Sequence, residues 1–221
     1  MKHHLATLAA ATAFALPLPA AAFDVATLLV LEPGNWGIQR DNVTGEQVGY
    51  VVSLNAAGQT VQSWYTLQGG VWAFDSASLF VVTRNRITYV GEDVGNAVWT
   101  FEPALTIPRR WAVNDVYVYK GLQRNSVTGE TVPVGQVVTF TAENLTATTP
   151  AGSFTGCVKG RIYGVDARSS RDSVSIHCPG RTQVMNWVSK IVDTAAPTVM
   201  DQSEVRSSVS IAGGSSGAPF P

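Results

Sequence analysis

The chain has little of what most chemistry needs. Beyond its first 22 residues it holds one histidine, His177, and two cysteines, Cys157 and Cys178. Nucleophilic catalysis of the Ser-His-Asp type needs a histidine base, and His177 is the single candidate. It adjoins Cys178, so a Cys-His pair fails as well, because neighbouring strand residues point to opposite faces and an oxidised sulfur cannot attack. The expected place for His177 is a strand surface or a polar gap. Two cysteines and one histidine fall short of a zinc site. Asp41, Asn42, Asp93 and Asn96 do not approach calcium-loop spacing. No phosphate-binding loop, dinucleotide fingerprint or metalloprotease motif occurs, so no cofactor is expected. Carboxylates that could pair for glycoside hydrolysis, Glu92, Asp93 and Glu102, fall in or near turns and read as solvated surface groups. Charged residues make up 14% of the chain, low against the typical ~25%. With a formal net charge of −1 there is no basic footprint for nucleic acid.

Long apolar runs are also missing, with one exception at the start. Lys2 precedes an apolar stretch from Leu5 to Leu16, Pro17 and Pro19 break it, and Ala20-Ala21-Ala22 offers a small-residue cleavage site. That is the layout of a secretory signal peptide over residues 1–22, too short to span a bilayer as a helix. The expected product is soluble, periplasmic or extracellular, and not an N-terminal lipoprotein, since no cysteine follows the cleavage site. Export brings the chain into an oxidising compartment, where Cys157 and Cys178 are expected to form a disulfide.

What the sequence has in quantity is strand and turn signal. Gln39-Arg40-Asp41-Asn42-Val43-Thr44-Gly45-Glu46-Gln47-Val48 returns 84 residues later as Gln123-Arg124-Asn125-Ser126-Val127-Thr128-Gly129-Glu130-Thr131-Val132. Both read as hairpin tips, with Asn42 and Ser126 opening the turn and Gly45 and Gly129 closing it in a left-handed conformation. Arg40 with Glu46, and Arg124 with Glu130, would pair across the tips. The likeness continues into Gly49–Leu54 and Gly135–Phe140 if Pro133-Val134 is an insertion marking a bulge or an edge. Short strand-like runs then follow one another through Thr60–Leu67, Val71–Phe74, Ser78–Val82, Arg86–Val90 and Ala97–Phe101. Pro103–Pro108 reads as a crossover, and Trp111–Arg124 begins a second half. Val25–Leu31 is apolar and fits either a short helix or an edge strand.

Closely spaced strands without an amphipathic helix predict an all-β fold: an antiparallel meander forming an open barrel or curved sandwich from two related halves. The halves would be 23–102 and 103–211 of one β domain over 23–211. Residues 212–221, rich in Gly, Ser and Pro, read as a disordered tail. Phe154–Val165 and Arg171–Cys178 read as a hairpin. A pairing that sets Cys157 opposite Cys178 puts the turn between Ala167 and Arg168, within a polar run, so a cross-strand disulfide is geometrically natural. Closing such a loop stabilises the fold by roughly 3 kcal/mol. In that register Val158 and Ile162 face away from Val174 and Ile176, which requires two partly covered faces or a bulge.

Three segments resemble the DUF3108-like group of exported bacterial β proteins. They are Glu32-Pro33-Gly34-Asn35-Trp36, Leu105-Thr106-Ile107-Pro108 before Trp111, and Thr149-Pro150-Ala151-Gly152-Ser153-Phe154-Thr155-Gly156-Cys157-Val158. The resemblance implies a curved antiparallel sheet of the open-barrel kind used by periplasmic lipid carriers. It brings no activity and no catalytic residues. Six tryptophans, Trp36, Trp64, Trp72, Trp99, Trp111 and Trp187, are candidates for core or for lining a cavity. The reading that results is a non-enzymatic exported module that binds an apolar or lipid-like small molecule in a sheet concavity. An envelope protein-interaction component is the alternative, and a hydrolase ranks third.

Overall fold

A computed structural model of the chain describes residues 22–165, 169–193 and 206–221. Nearly all of it is strand. A closed antiparallel barrel is formed by β2 (Trp36–Asp41), β3 (Gln47–Leu54), β4 (Thr60–Gln68), β5 (Val71–Val82), β6 (Arg86–Asp93), β7 (Val98–Pro108), β9 (Val116–Asn125), β10 (Thr131–Thr149), β11 (Gly152–Val165), β12 (Ser169–Cys178), β13 (Arg181–Asp193) and β14 (Arg206–Gly214). Its last strand closes on its first, β14 on β2, and β7 pairs with β9 across β8. The short β1 (Phe23–Asp24) and β8 (Arg110–Trp111) pair outside this ring. The expected all-β meander is thus realised as a closed ring, which leaves neither end strand as an exposed edge.

The two repeated tips are built alike. Asp41 and Asn125 open them, one residue earlier than the sequence pattern suggested. The Asp41 carboxylate accepts from the N–H groups of Val43 and Thr44, and the Asn125 amide oxygen accepts from those of Val127 and Thr128. The N–H of Gly45 donates to the Asp41 carbonyl and that of Gly129 to the Asn125 carbonyl, closing each loop through a left-handed glycine. Thr44 and Thr128 hydroxyls accept from the N–H groups of Glu46 and Glu130. β2 pairs with β3, and β9 with β10, in one unbroken register each, from Arg40–Gln47 to Trp36–Val51 and from Arg124–Thr131 to Val116–Thr139. Pro133-Val134 is therefore no bulge in that ladder. Pro133 pairs with Leu122 of β9 in this ladder.

In the ring the β2–β3 hairpin lies six strands from the β9–β10 hairpin, halfway round. Six antiparallel steps return the original strand direction, so both tips stand on one rim. The opposite rim is stoppered from inside by the N-terminal segment. Asp24 caps a single helical turn, α1 (Val25–Leu28), by accepting from the Ala26 N–H. Val25, Ala26, Leu28 and Leu31 are buried against Ile87, Phe140 and Val158 of the barrel wall and Trp111 of β8. Val30 packs with Tyr50, Val52 and Trp64. Arg109 holds the stopper in place with paired contacts of 2.7–2.9 Å to the Asp24 carboxylate. This pairing holds that carboxyl below its usual range. Val25–Leu31, open between helix and strand in the sequence, is this stopper.

The β11–β12 hairpin has the register expected of it. Val158 stands opposite His177 and Val165 opposite Ser170 without a slip, and Cys157 is bonded to Cys178. Both faces are partly covered, as that register requires. Ile162 lines the barrel cavity, while Ile176, on the other face of β12 from His177, packs with Cys157, Cys178 and Val184. Three expectations are corrected. Pro103–Pro108 belongs to β7, and the crossover between halves is the stretch 109–115. Val71–Phe74 and Ser78–Val82 form one continuous strand. The tail 212–221 is not disordered: β14 runs to Gly214, the Ser216 carbonyl accepts from the Trp36 indole, and the Phe220 ring stacks on Tyr65 with centroids 5.0 Å apart. Gly49 makes room for that ring, since a Cβ there would lie 2.3 Å from it. The leader assigned to residues 1–22 lies outside the described residues, apart from Ala22. No helix among the described residues is long and apolar enough to cross a membrane.

Candidate functional site

Alternation along each strand sends every second side chain inward, and a ring this wide is not filled by them everywhere. A cavity of about 590 Å³ remains, walled by β5, β6, β7, β9, β10, β11 and β12. Its floor is the stopper, where Val25, Leu29, Ile87, Trp111 and Phe140 meet. Its sides carry Phe80, Leu105, Ile107, Val138 and Ile162, and its upper part holds Glu92, Gln123 and Gln136. The arrangement is graded, apolar at the stoppered end and polar towards the rim that bears the tips. Glycines create the space. Gly160 and Gly164 occupy inward positions of β11, and a Cβ on Gly164 would meet nothing nearer than 4.0 Å.

Glu92 was read from the sequence as a solvated turn residue, and the structure places it inside the barrel wall. Residues Val90 and Gly91 sit at a register slip between β6 and β7, which turns Glu92 inward. Burial, together with the nearby Asp75 carboxylate, pushes its carboxyl above the usual range. Beside it Tyr89 is half-buried, shares a hydrogen bond with Ser78 and has its phenol pushed upward by burial and by Glu92. Asp93 stays at the rim and accepts from the Gly95 N–H. Glu102 lies on the outer wall, where Arg124 pairs with it at 3.6 Å rather than with Glu130.

No family model matches the chain, and no curated protein does. The resemblance to the DUF3108-like group therefore gains no support. Two solved structures share its general outline. One is a protein of Parabacteroides distasonis named as a lipoprotein, with a TM-score of 0.46 and 11% identity over 83% of this chain and 96% of that one. The other is a protein of Bacteroides fragilis named as exported and of YmcC-like fold, with a TM-score of 0.37 and 10% identity over 88% of this chain and 99% of that one. At these values neither likeness bears on function.

Of the six tryptophans, only Trp111 lines the cavity. Trp64 fills the opposite side of the barrel against Tyr50. Trp36 and Trp72 grip Phe220 on the outer surface. Trp99 stands opposite Glu92 and Asn125 at the tip rim, and Trp187 is 38% exposed on β13. The aromatic lining comes instead from Phe80, Tyr89, Phe101, Tyr119 and Phe140. Tryptophan count carried no information on which strand faces meet a void. The alternation of Tyr117, Tyr119 and Gly121 with exposed Val116, Val118 and Leu122 along β9 would have been the better signal.

His177 is neither on a surface nor free. It sits at the cavity floor with its Nε2 2.8 Å from the Ser175 hydroxyl, and both residues are buried. Burial lowers its pKa to about 4, so the ring is neutral at physiological pH. The main chain of Leu28 faces the ring, where a triad would need a carboxylate. Ser175 has no exposed surface, so its hydroxyl does not meet solvent or a bound molecule in this arrangement. The pair lies within β12, under the stopper. The disulfide residues Cys157 and Cys178 lie in a separate buried cluster with Ala147 and Val184.

Proposed function

We propose that the protein is an exported, non-enzymatic carrier that holds an apolar or lipid-like molecule inside its barrel. The observation that carries this reading is the graded cavity of about 590 Å³. That volume falls within the ~300–1,000 Å³ range usual for small-molecule sites. The polarity gradient gives the orientation. The hydrocarbon part would lie on Trp111, Phe140 and Ile87 over the stopper, and a hydrogen-bonding head would face Glu92, Gln123 and Gln136. Export through a leader in residues 1–22 and the buried disulfide both fit an oxidising compartment.

The test is a titration with the neutral apolar fluorophore N-phenylnaphthylamine, paired with native mass spectrometry of gently purified protein. One saturable site, emptied by a long-chain alcohol, is the expected result. A protein that takes up no probe and carries no small molecule would end the carrier reading. The envelope-partner alternative would then gain, resting on the outer apolar surface around Val118, Val137 and Tyr163, which are 55%, 36% and 45% exposed.

A further inference from the structure

The wall around the cavity is paired unevenly. β9 bonds to β10 at nine consecutive positions, Val116–Thr139 to Arg124–Thr131. To β7 it bonds at only four, Trp99–Asn125 to Glu102–Leu122. At that point β7 also departs from β6: Thr100 stands opposite Gly91 and Leu105 opposite Tyr89, so four residues of β7 span one of β6. Below this departure, Pro103–Pro108 of β7 and Val116–Gly121 of β9 have no ladder pairing with each other. Side chains bridge the seam instead. The Tyr119 hydroxyl donates to the Pro103 carbonyl at 2.6 Å, and the Tyr117 hydroxyl faces the main chain of Thr106. Gly121 is required beside this bridge, because a Cβ there would lie 2.3 Å from the Tyr119 hydroxyl.

Both sides of the seam suit an apolar passenger. Inside, Leu105, Ile107 and Tyr119 line the cavity. Outside, on the β10 side of β9 next to the seam, a groove of about 460 Å³ runs over β9, β10 and β11 along Val118, Pro133, Val137 and Tyr163, and Tyr119 borders it too. We propose that the β7–β9 seam is the doorway through which the ligand enters and leaves sideways, with Tyr119 as its latch. This rests on the carrier reading of the cavity. The physical reason is that a ladder opens only by breaking several main-chain bonds together, whereas this seam opens when the Tyr119 hydrogen bond lets go. A passenger taking it slides along valine and leucine and avoids the polar rim at Glu92.

The experiment staples the last rung. Glu102 and Leu122 are direct partners across β7 and β9, a placement with Cβ atoms ~4.5–5.5 Å apart. Glu102→Cys with Leu122→Cys gives a seam that is locked when oxidised and free when mildly reduced; the native bridge has no exposed surface for the reductant to reach. Stopped-flow uptake and release of N-phenylnaphthylamine is the readout. Oxidation should slow both rates at least tenfold with Kd unchanged, and reduction should restore them. The control is Ile38→Cys with Ala212→Cys, a paired rung on the far side of the barrel, where oxidation should change neither rate. Locked protein that exchanges probe as fast as unlocked protein, together with unchanged rates in Tyr119→Phe, would rule out the doorway and leave the carrier reading standing. Wild-type protein that takes up no probe would remove both. Should the double variant not fold, Tyr119→Phe decides: uptake and release should quicken together severalfold, and a change in release alone would mean a lost contact rather than a lost latch.

Discussion

Two hairpins with the same turn end in different interiors. In the first, Gly37 of β2 faces Tyr50 of β3, whose ring lies over it within 3 Å of where a Cβ would stand. Tyr50 then meets Trp64 on β4, and Val52 meets Gln62, so that side of the barrel is filled. In the second, the same register puts Val134 opposite Gly121 and leaves Gln136 facing Gly164. The Tyr50 ring is replaced by Val134, and Val52 and Gln62 by Gln136 and Gly164, and the cavity borders these positions. The lesson is a division of labour within one ring. The turn chemistry is held constant, because it fixes register. The inward rungs vary freely, because a half that is fully packed can support one that is not.

The largest test of that contrast is Tyr50→Ala set against Val134→Ala. Removing a fully buried ring from a packed wall should cost about 3–5 kcal/mol. Trimming a residue that already borders empty space should cost under ~1 kcal/mol. Urea unfolding of both variants measures the difference, and equal losses would show that the second side is packed in solution. Next in size is an acid effect confined to the hollow side. Folding lowers the pKa of His177 to about 4 from an ordinary 6.5. The unfolded chain therefore binds the extra proton first, and stability falls as pH drops through that window, by on the order of 3 kcal/mol in full. His177→Gln should flatten the decline relative to wild type between those values. A parallel decline in the variant would assign the effect to other groups.

Filling the hollow side comes third. Gly164→Leu adds a side chain where a Cβ meets open space. It should weaken N-phenylnaphthylamine binding at least tenfold, about 1.4 kcal/mol, while stability moves by less than ~1 kcal/mol. Unchanged binding would place the probe elsewhere. The smallest effect tests the shared part. Asp41→Ala and Asn125→Ala each remove an acceptor for two main-chain N–H groups. Each should cost ~1 kcal/mol, as lost helix caps do. Clearly unequal costs would mean that the two turns are alike in shape only.

What was legible in the residues was local. The tips follow from the Val-Thr-Gly-Glu turns, whose opening residues are Asp41 and Asn125 rather than Asn42 and Ser126, and the register of β11 on β12 follows from two cysteines with a polar run midway between them. Strand limits were less legible where a strand bends without a turn residue. Asp75 reads as a break inside β5, and Pro103 reads as an end inside β7. The site was mostly hidden. Glu92 looks like part of a Gly-Glu-Asp turn until a slip between β6 and β7 turns it inward. Phe220 looks like the end of a loose tail until Trp36, Tyr65 and Trp72 converge on it.

The sequence by itself determined that the chain is built of antiparallel strands, where its twin hairpins turn and which cysteines meet, because each depends on residues close in sequence or on one strand pair. The tertiary structure decided that the ring closes, that residues 23–35 stopper it, and that the second hairpin faces a void. Those outcomes depend on how many strands share the circumference and on which inward side chains meet across it. No local pattern records either.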